Sequence, residues 1–360
     1  SRPVRVERVN GSGKKVYADA TFTSQGWEAG GTRPYFPGDT PQWTMRAYDN
    51  RGRVETVTEP DGATTIYTYR GLATDVRNSL GQVNTVVTNV RGWSLQVRDE
   101  LGSDILNDND AIGNLVRATA DGIETTFEWD GGGRRTAIND PDTGRTEFAY
   151  NAIGDLLQTR DAKGQVVAMT YDDLGRMVQR TEPEGTTTWT FDSAQGAGIG
   201  KLASVSSPGG FHRANTFDAL GRPAATTRTI AGRDYTTGTS YDSFGRPSSV
   251  FYPTGFSVKY RYHQSGALRA VVDSVSEEIY WQSAEFDEEG NVVHELLGNG
   301  VETLRSYDDV RGLPESFMTR DSGGTTVDDF GFSFNTLGNL TTREDRRQSL
   351  TETFEYDGLN

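Results

Sequence analysis

Tyr171-Asp172-Asp173-Leu174-Gly175-Arg176 is one copy of a phrase that recurs along the chain: an aromatic residue, Asp or Asn, two variable residues, Gly, then usually Arg or Asn. Tyr48-Asp49-Asn50-Arg51-Gly52-Arg53 and Tyr241-Asp242-Ser243-Phe244-Gly245-Arg246 repeat it closely. Tyr150-Asn151-Ala152-Ile153-Gly154, Phe217-Asp218-Ala219-Leu220-Gly221-Arg222, Phe286-Asp287-Glu288-Glu289-Gly290-Asn291 and Phe334-Asn335-Thr336-Leu337-Gly338-Asn339 are variants. Tyr48 to Tyr69, Trp129 to Tyr150, Tyr150 to Tyr171, Tyr241 to Tyr262 and Phe286 to Tyr307 are each 21 residues apart, and other intervals run from 22 to 27. A period of this size marks an array in which each unit packs on its neighbour.

One period reads as a hairpin. From Gly175 to Asp192, a run of about seven residues leads into Glu182-Pro183-Glu184-Gly185, and a second run rich in Thr and aromatics leads to the next phrase. Branched and flat side chains suit a pleated sheet, whereas Pro and Gly clusters suit turns. Glu59-Pro60-Asp61-Gly62, Asp140-Pro141-Asp142-Thr143-Gly144 and Tyr252-Pro253-Thr254-Gly255 mark the same half-period turn elsewhere. The 308 residues from Tyr48 to Tyr356 therefore predict roughly thirty strands. No segment of ten residues keeps a 3.6 period, so helix is expected to be scarce. Open sheets rarely pass about ten strands without curling, so such a ribbon is expected to coil. At about 4.8 Å per strand it would be about 140 Å long, and rolled once it would be roughly 45 Å across.

The phrase explains itself structurally. Its aromatics, at constant phase, are expected to form a cross-strand ladder. Its Asp or Asn holds backbone amides two residues on, and its Gly takes a conformation other residues resist. The residues expected to carry this repeat role are Tyr48, Asp49, Gly52, Tyr150, Gly154, Tyr171, Asp172, Gly175, Phe217, Asp218, Gly221, Tyr241, Asp242, Gly245, Phe286, Asp287 and Gly290. A catalytic aspartate has no need of a dozen copies.

Apolar residues make up 34% of the chain and glycines number 42, which suits a sheet wetted on both faces better than a thick core. The formal charge of −15 argues against nucleic-acid binding, which requires a basic footprint. No apolar run approaches the length of a membrane span. The absence of cysteine excludes disulfides and thiolate metal sites. Residues 1–45 are expected to form an irregular section, with a long aromatic, Pro- and Gly-rich loop over Gln25–Trp43 between two strands. Residues 46–360 are expected to be the repeat array. Ser1-Arg2-Pro3-Val4-Arg5 does not read as a signal peptide. Tyr356-Asp357-Gly358-Leu359-Asn360 stops inside a copy of the phrase, which is expected of a fragment or of a longer chain's ordered part.

On these residues the chain resembles the tyrosine-aspartate repeat family, also called Rhs repeats. Gly144 through Arg176 follows the family pattern nearly throughout, and matches run from about Arg46 to Asn360. Asn78-Ser79-Leu80-Gly81 and Asp308-Asp309-Val310-Arg311-Gly312 are degenerate copies. The resemblance implies an all-β fold of antiparallel hairpins in a long spiralling sheet, part of a hollow shell. In bacterial polymorphic toxins and insecticidal toxin complexes of this family the shell encloses a toxic C-terminal domain, and in teneurins a related shell belongs to an adhesion ectodomain. Toxin members also carry a self-cleaving aspartyl site of the form Asp-Pro-x-Gly-Leu. No such sequence occurs here. Asp140-Pro141 sits at a half-period turn and does not inherit that role.

Other chemistry lacks a constellation. His212, His263 and His294 fall at different phases of different units, without ligand spacing. Asp108-Asn109-Asp110-Ala111-Ile112-Gly113 begins like a calcium loop, but Ile112 stands where an oxygen ligand belongs and Thr119 where a Glu belongs. The acidic pairs Glu277-Glu278, Asp308-Asp309 and Asp328-Asp329 are expected on solvated turns. Asn10-Gly11-Ser12 and Asn339-Leu340-Thr341 are formal glycosylation sequons. No catalytic residue, cofactor or metal is expected. The expected function is a non-catalytic encapsulating scaffold, a shell segment of a secreted or cell-surface bacterial protein. Its partners would be the rest of its own shell and an enclosed toxin domain. The alternative is an adhesion module binding carbohydrate or protein through Trp27, Trp43, Trp93, Trp189 and Trp281.

Overall fold

The computed structural model describes residues 4–359. Residues 1–3 and 360, the extreme ends of the two sections expected from sequence, lie outside the described residues. Thirty-two strands belong to one antiparallel sheet, and one short 3-10 turn, Pro208–Gly210, interrupts the hairpins. The described residues form two compact units. One comprises Ser1–Ser103 with Tyr260–Asn360; the other is Asp104–Lys259.

Within the Asp104–Lys259 unit successive strands pair with one another. Thr126 to Trp129 pairs with Arg135 to Asn139, Ala137 to Asp140 with Gly144 to Glu147, and Glu147 to Tyr150 with Leu156 to Arg160. Exposure alternates along the strands, as in Gly144–Tyr150, where every second residue is half-buried. That period of two is the mark of a sheet with one face drier than the other. The register slips by one residue just before the phrase aromatic, between Ala149 and Tyr150, Thr170 and Tyr171, Thr216 and Phe217, and Ser240 and Tyr241. This is the bulge left when a tight turn ends on a glycine at positive φ.

The other unit is built from the same parts. Its strands include Val4–Val9, Lys15–Phe22, Trp43–Tyr48 and Val54–Thr58 near the start, and Ile279–Phe286, Val292–Leu297 and Thr326–Phe334 near the end. The stretch 25–43, expected as one long loop, contains a strand, Glu28–Thr32, paired on both sides. Gly30 belongs there because a Cβ would lie 2.6 Å from Met45 Sδ. The turns at Asn10–Lys14 and Thr23–Trp27 have the same hydrogen-bond pattern as the phrase turn, so the repeat geometry extends before Arg46. Buried apolar side chains are few: Val16, Tyr35, Ala137, Met169, Ala203, Val258, Ala270, Val272 and Phe286. Backbone ladders and turn networks therefore carry much of the cohesion that a thick core carries elsewhere.

Candidate functional site: the repeat turn and the seam

The phrase builds a closed turn. The backbone N–H of the aspartate position donates to the carbonyl four residues on, at 2.8–3.1 Å for Asp49, Asn151, Asp172, Asp218, Asp242 and Asp287. The glycine N–H donates back to the carbonyl of that same residue at 3.0–3.3 Å. Gly52, Gly154, Gly175, Gly221, Gly245 and Gly290 all have φ between 74° and 102°, where a Cβ is strained. In Asp49, Asp172, Asp218 and Asp242 one carboxylate oxygen accepts two backbone N–H bonds at 2.8–3.0 Å, from the second and fourth residues on. Their other oxygen takes the fourth residue's guanidinium: Arg53, Arg176, Arg222 and Arg246 donate from Nε at 2.7–2.8 Å. These donors hold the carboxylates below their ordinary pKa. For Asp49 and Asp218 the largest cause is the backbone N–H of the arginine, and for Asp172 it is the Arg176 guanidinium.

The arginine then reaches onward. Arg53 lies 3.9 Å over the Tyr69 ring, Arg176 4.4 Å over Phe191, Arg222 4.3 Å over Tyr241 and Arg134 5.4 Å over Tyr150. Each is the aromatic of the next unit, and such contacts are worth about 0.5–1 kcal/mol where exposed. The aromatic reaches back in turn. Tyr48, Tyr69, Tyr150, Tyr171, Tyr241 and Tyr356 donate their hydroxyls to the carbonyls of Glu28, Val54, Arg135, Leu156, Pro223 and Leu340 at 2.7–2.9 Å. Trp129 Nε1 does the same to Leu115. The acceptor is always the second residue after the preceding turn's glycine. Where a phenylalanine cannot donate, a neighbour does so: Asn215, two residues before Phe217, donates to Leu202, and Ser283, three before Phe286, donates to Leu268.

Most of the phrase aromatics are half-buried, while Phe286 is 6% exposed. Its surroundings differ because, within the Ser1–Ser103 and Tyr260–Asn360 unit, late phrase turns dock on early turns of the sheet. Asn10, itself buried, donates through Nδ2 to the carbonyls of Phe286 (3.2 Å) and Asp287 (3.1 Å). The Phe286 ring lies where a Cβ on Gly11 would stand, 2.5 Å away, and meets His263 edge-on at 5.7 Å. Arg33 pairs with Glu289 at 2.5 Å, Arg311 with Asp61 at 3.4 Å, Ser79 with Thr336 at 2.7 Å, and Gln82 donates to the Gly358 carbonyl. Burial first, and then the Asp287 and Asp309 charges, raise the pKa of Glu288 in this seam. A cleft of about 360 Å³ opens along it, lined by Arg33, Glu59, Pro60, Arg311 and Leu337. Within it Thr44 donates to Glu59 at 2.8 Å.

The remaining candidates do not converge. His212 faces Ser206, and His294 faces Glu302. Asp108 pairs with Arg117, and Asp110 accepts the N–H groups of its own turn, so they cap and pair rather than form a calcium loop. Among the described residues no group of three or more His, Asp or Glu side chains is placed to hold a metal ion, and no helix is long and apolar enough to cross a membrane. Several tryptophans have structural partners: Trp27 covers Gly52 and meets Tyr48 at 5.3 Å, and Trp281 donates to Glu295. The seam is what sequence reasoning missed.

The RHS Repeat family model matches residues 110–145 and 150–194. This chain carries Rhs repeats. It is 28% identical over 179 residues to double-stranded DNA deaminase toxin A of Burkholderia cenocepacia (strain H111), covering 45% of this chain and 12% of that protein. It is 28% identical over 131 residues to mouse teneurin-4 (Mus musculus), covering 36% of this chain and 4% of teneurin-4. Among solved structures, TcdB2-TccC3 without its hypervariable C-terminal region superposes with a TM-score of 0.85 at 16% identity, over 99% of this chain and 22% of that one. The Photorhabdus luminescens Tc holotoxin pore superposes with a TM-score of 0.80 at 15% identity, over 96% of this chain and 21% of that one. The fold of this chain is thus that of the corresponding part of the TcdB2-TccC3 structures, and the chain spans a small part of each relative's length.

Proposed function

We propose that this chain is a wall segment of a secreted bacterial Rhs shell, a scaffold without catalysis of its own that encloses a toxin domain. The observation that carries the reading is the seam. Late phrase turns rest on early turns of the same sheet, so hairpin ends join one course of wall to another. The likeness in fold to TcdB2-TccC3 along 99% of the chain supports the same reading. The two-sided wetting of the strands suits a wall with fluid or cargo on one face and solvent on the other. Small-angle scattering on the chain tests this. A wall segment gives a radius of gyration well above the ~21 Å of a compact globule of this length, and a value at the compact figure overturns the proposal.

A further inference from the structure

The chain contains two Asn-Gly dipeptides, Asn10-Gly11 and Asn299-Gly300, and folding gives them opposite settings. Asn10 is buried, with 5% of its surface exposed. Its Nδ2 donates to the Phe286 and Asp287 carbonyls at 3.2 and 3.1 Å, and its Oδ1 accepts the N–H groups of Ser12 and Lys14 at 3.1 and 3.0 Å. These bonds occupy the amide's donors and acceptor together and fix its orientation. The Phe286 ring closes over Gly11, where a Cβ would lie 2.5 Å from it.

Asn299 sits at the tip of the half-period turn from Leu297 to Val301, where residues 297–300 are all exposed. Its Oδ1 accepts one N–H, from Val301 at 3.2 Å, and its Nδ2 has no hydrogen-bond partner among the described residues. Packing imposes both flanking glycines. A Cβ on Gly298 would run into the Ile279 carbonyl oxygen, and one on Gly300 would lie 2.7 Å from Ser322 Cβ. Gly300 also has φ at 83°. No side chain at 300 therefore shields the backbone nitrogen that follows Asn299. That nitrogen donates to the Leu297 carbonyl at 2.9 Å, a single bond at an exposed tip, which opens more easily than a buried one.

We propose that Asn299-Gly300 is a site of spontaneous deamidation in the folded chain, and that the closed seam withholds the same chemistry from Asn10-Gly11. The Gly300 backbone nitrogen, giving its proton to solvent, forms a bond to Asn299 Cγ. The Cγ–Nδ2 bond breaks, ammonia leaves, and a cyclic succinimide remains. Water then adds to either carbonyl of the ring and opens it to aspartate or isoaspartate. One water is consumed and one ammonia released, with no change of oxidation state. At Asn299 the product adds a negative charge to an exposed turn. At Asn10 it would aim a carboxylate at the Phe286 and Asp287 carbonyls, and buried acceptors left facing acceptors are costly. A seam modified while open would therefore not close again.

Incubation of the chain in mildly alkaline buffer, followed over time by peptide mass spectrometry, tests this. While the chain is folded, Asn299 should convert on the order of tenfold or more faster than Asn10, because Asn10 reacts only when the seam opens locally. In denaturant the two dipeptides should convert at comparable rates. Labelling with isoaspartyl methyltransferase should report isoaspartate in the wild-type chain and lose most of that signal in Asn299→Gln, whose longer side chain closes the ring slowly. Phe286→Ala, which uncovers Gly11, should speed conversion at Asn10 and leave Asn299 unchanged. Circular dichroism shows whether that variant folds, and the folded-against-denatured comparison of the wild type stands without it. An Asn299 that keeps its amide in the folded chain while converting in denaturant overturns the site. Equal folded-state rates at the two dipeptides overturn the protection by the seam, as does an Asn10 rate in folded Phe286→Ala no faster than in wild type.

Discussion

The turns at Phe286–Asn291 and Tyr171–Arg176 share one backbone plan and differ in what stands beyond them. Around Asp287 the carboxylate accepts the N–H groups of Gly290 and Asn291, much as Asp172 accepts those of Leu174 and Arg176. Phe286, however, is enclosed by Asn10, Gly11 and His263, whereas Tyr171 keeps one side in solvent and spends its hydroxyl on Leu156. The turn is therefore specified locally, and burial is conferred by whatever course of sheet arrives next. A substitution in the phrase should cost what its neighbours make it cost.

The largest expected difference is at the aromatic itself. Phe286→Ala empties a packed site and should cost about 3–5 kcal/mol, while half-exposed Tyr171→Ala should cost less, about 1–3 kcal/mol. Denaturant unfolding of both variants checks the order, and equal losses would erase the distinction between covered and open turns. Removing only the Tyr171 hydroxyl, as Tyr171→Phe, should cost about 0.5–1.5 kcal/mol, the net worth of a hydrogen bond. A melt identical to wild type would show that the reach to Leu156 contributes nothing.

The turn glycine should matter wherever it sits. Gly175→Val forces a branched residue to φ 74° and should cost at least about 1–2 kcal/mol. Asp173→Ala, at a variable exposed position, should stay within about 0.5 kcal/mol of wild type. Comparable melting temperatures for the two would remove the conformational argument.

The smallest effect separates the two settings by pH. Asp49, Asp172 and Asp218 have depressed folded-state values. Their contribution is complete above the unfolded aspartate value near 3.9 and is lost as pH falls through the lower folded values. Glu288 runs the other way: its raised value means that ionisation costs stability as pH rises from the ordinary glutamate range to its folded value. Thermal melts of Asp172→Asn should therefore lose part of the wild-type decline below about pH 4, and Glu288→Gln should gain relative stability at neutral pH. Curves that keep a constant offset from wild type at every pH would contradict both.

These contrasts also mark how far the sequence could be read. The turn was legible in Tyr171 to Arg176 because every determinant lies within six residues and recurs. The all-β class and the scarcity of helix followed from the same period. The strand Glu28–Thr32 was hidden because Gly30 and Gly31 lower strand propensity, and the requirement Gly30 meets is the close approach of Met45. Asn10-Gly11 read as a formal glycosylation sequon, whereas its work is to receive Phe286. No periodic signal links those residues, since the partners meet across 276 positions of chain. The tyrosine-to-carbonyl reach was equally unseen, yet its offset of two residues after each glycine is a rule the sequence could have yielded once one example was known.

That long-range meeting has a consequence for how such a gene can change. In a simple solenoid, losing or gaining a unit shortens or lengthens the product and leaves each remaining neighbour as it was. Here seam partners are tied at chain separations of 250 to 280 residues. Deleting one 21-residue unit between them would present Arg33 with something other than Glu289, and Gly11 with something other than Phe286. The seam acts as a tally of copy number, so slippage during replication, ordinarily the easy route by which repeats evolve, is checked by a misfit far from the site of the change.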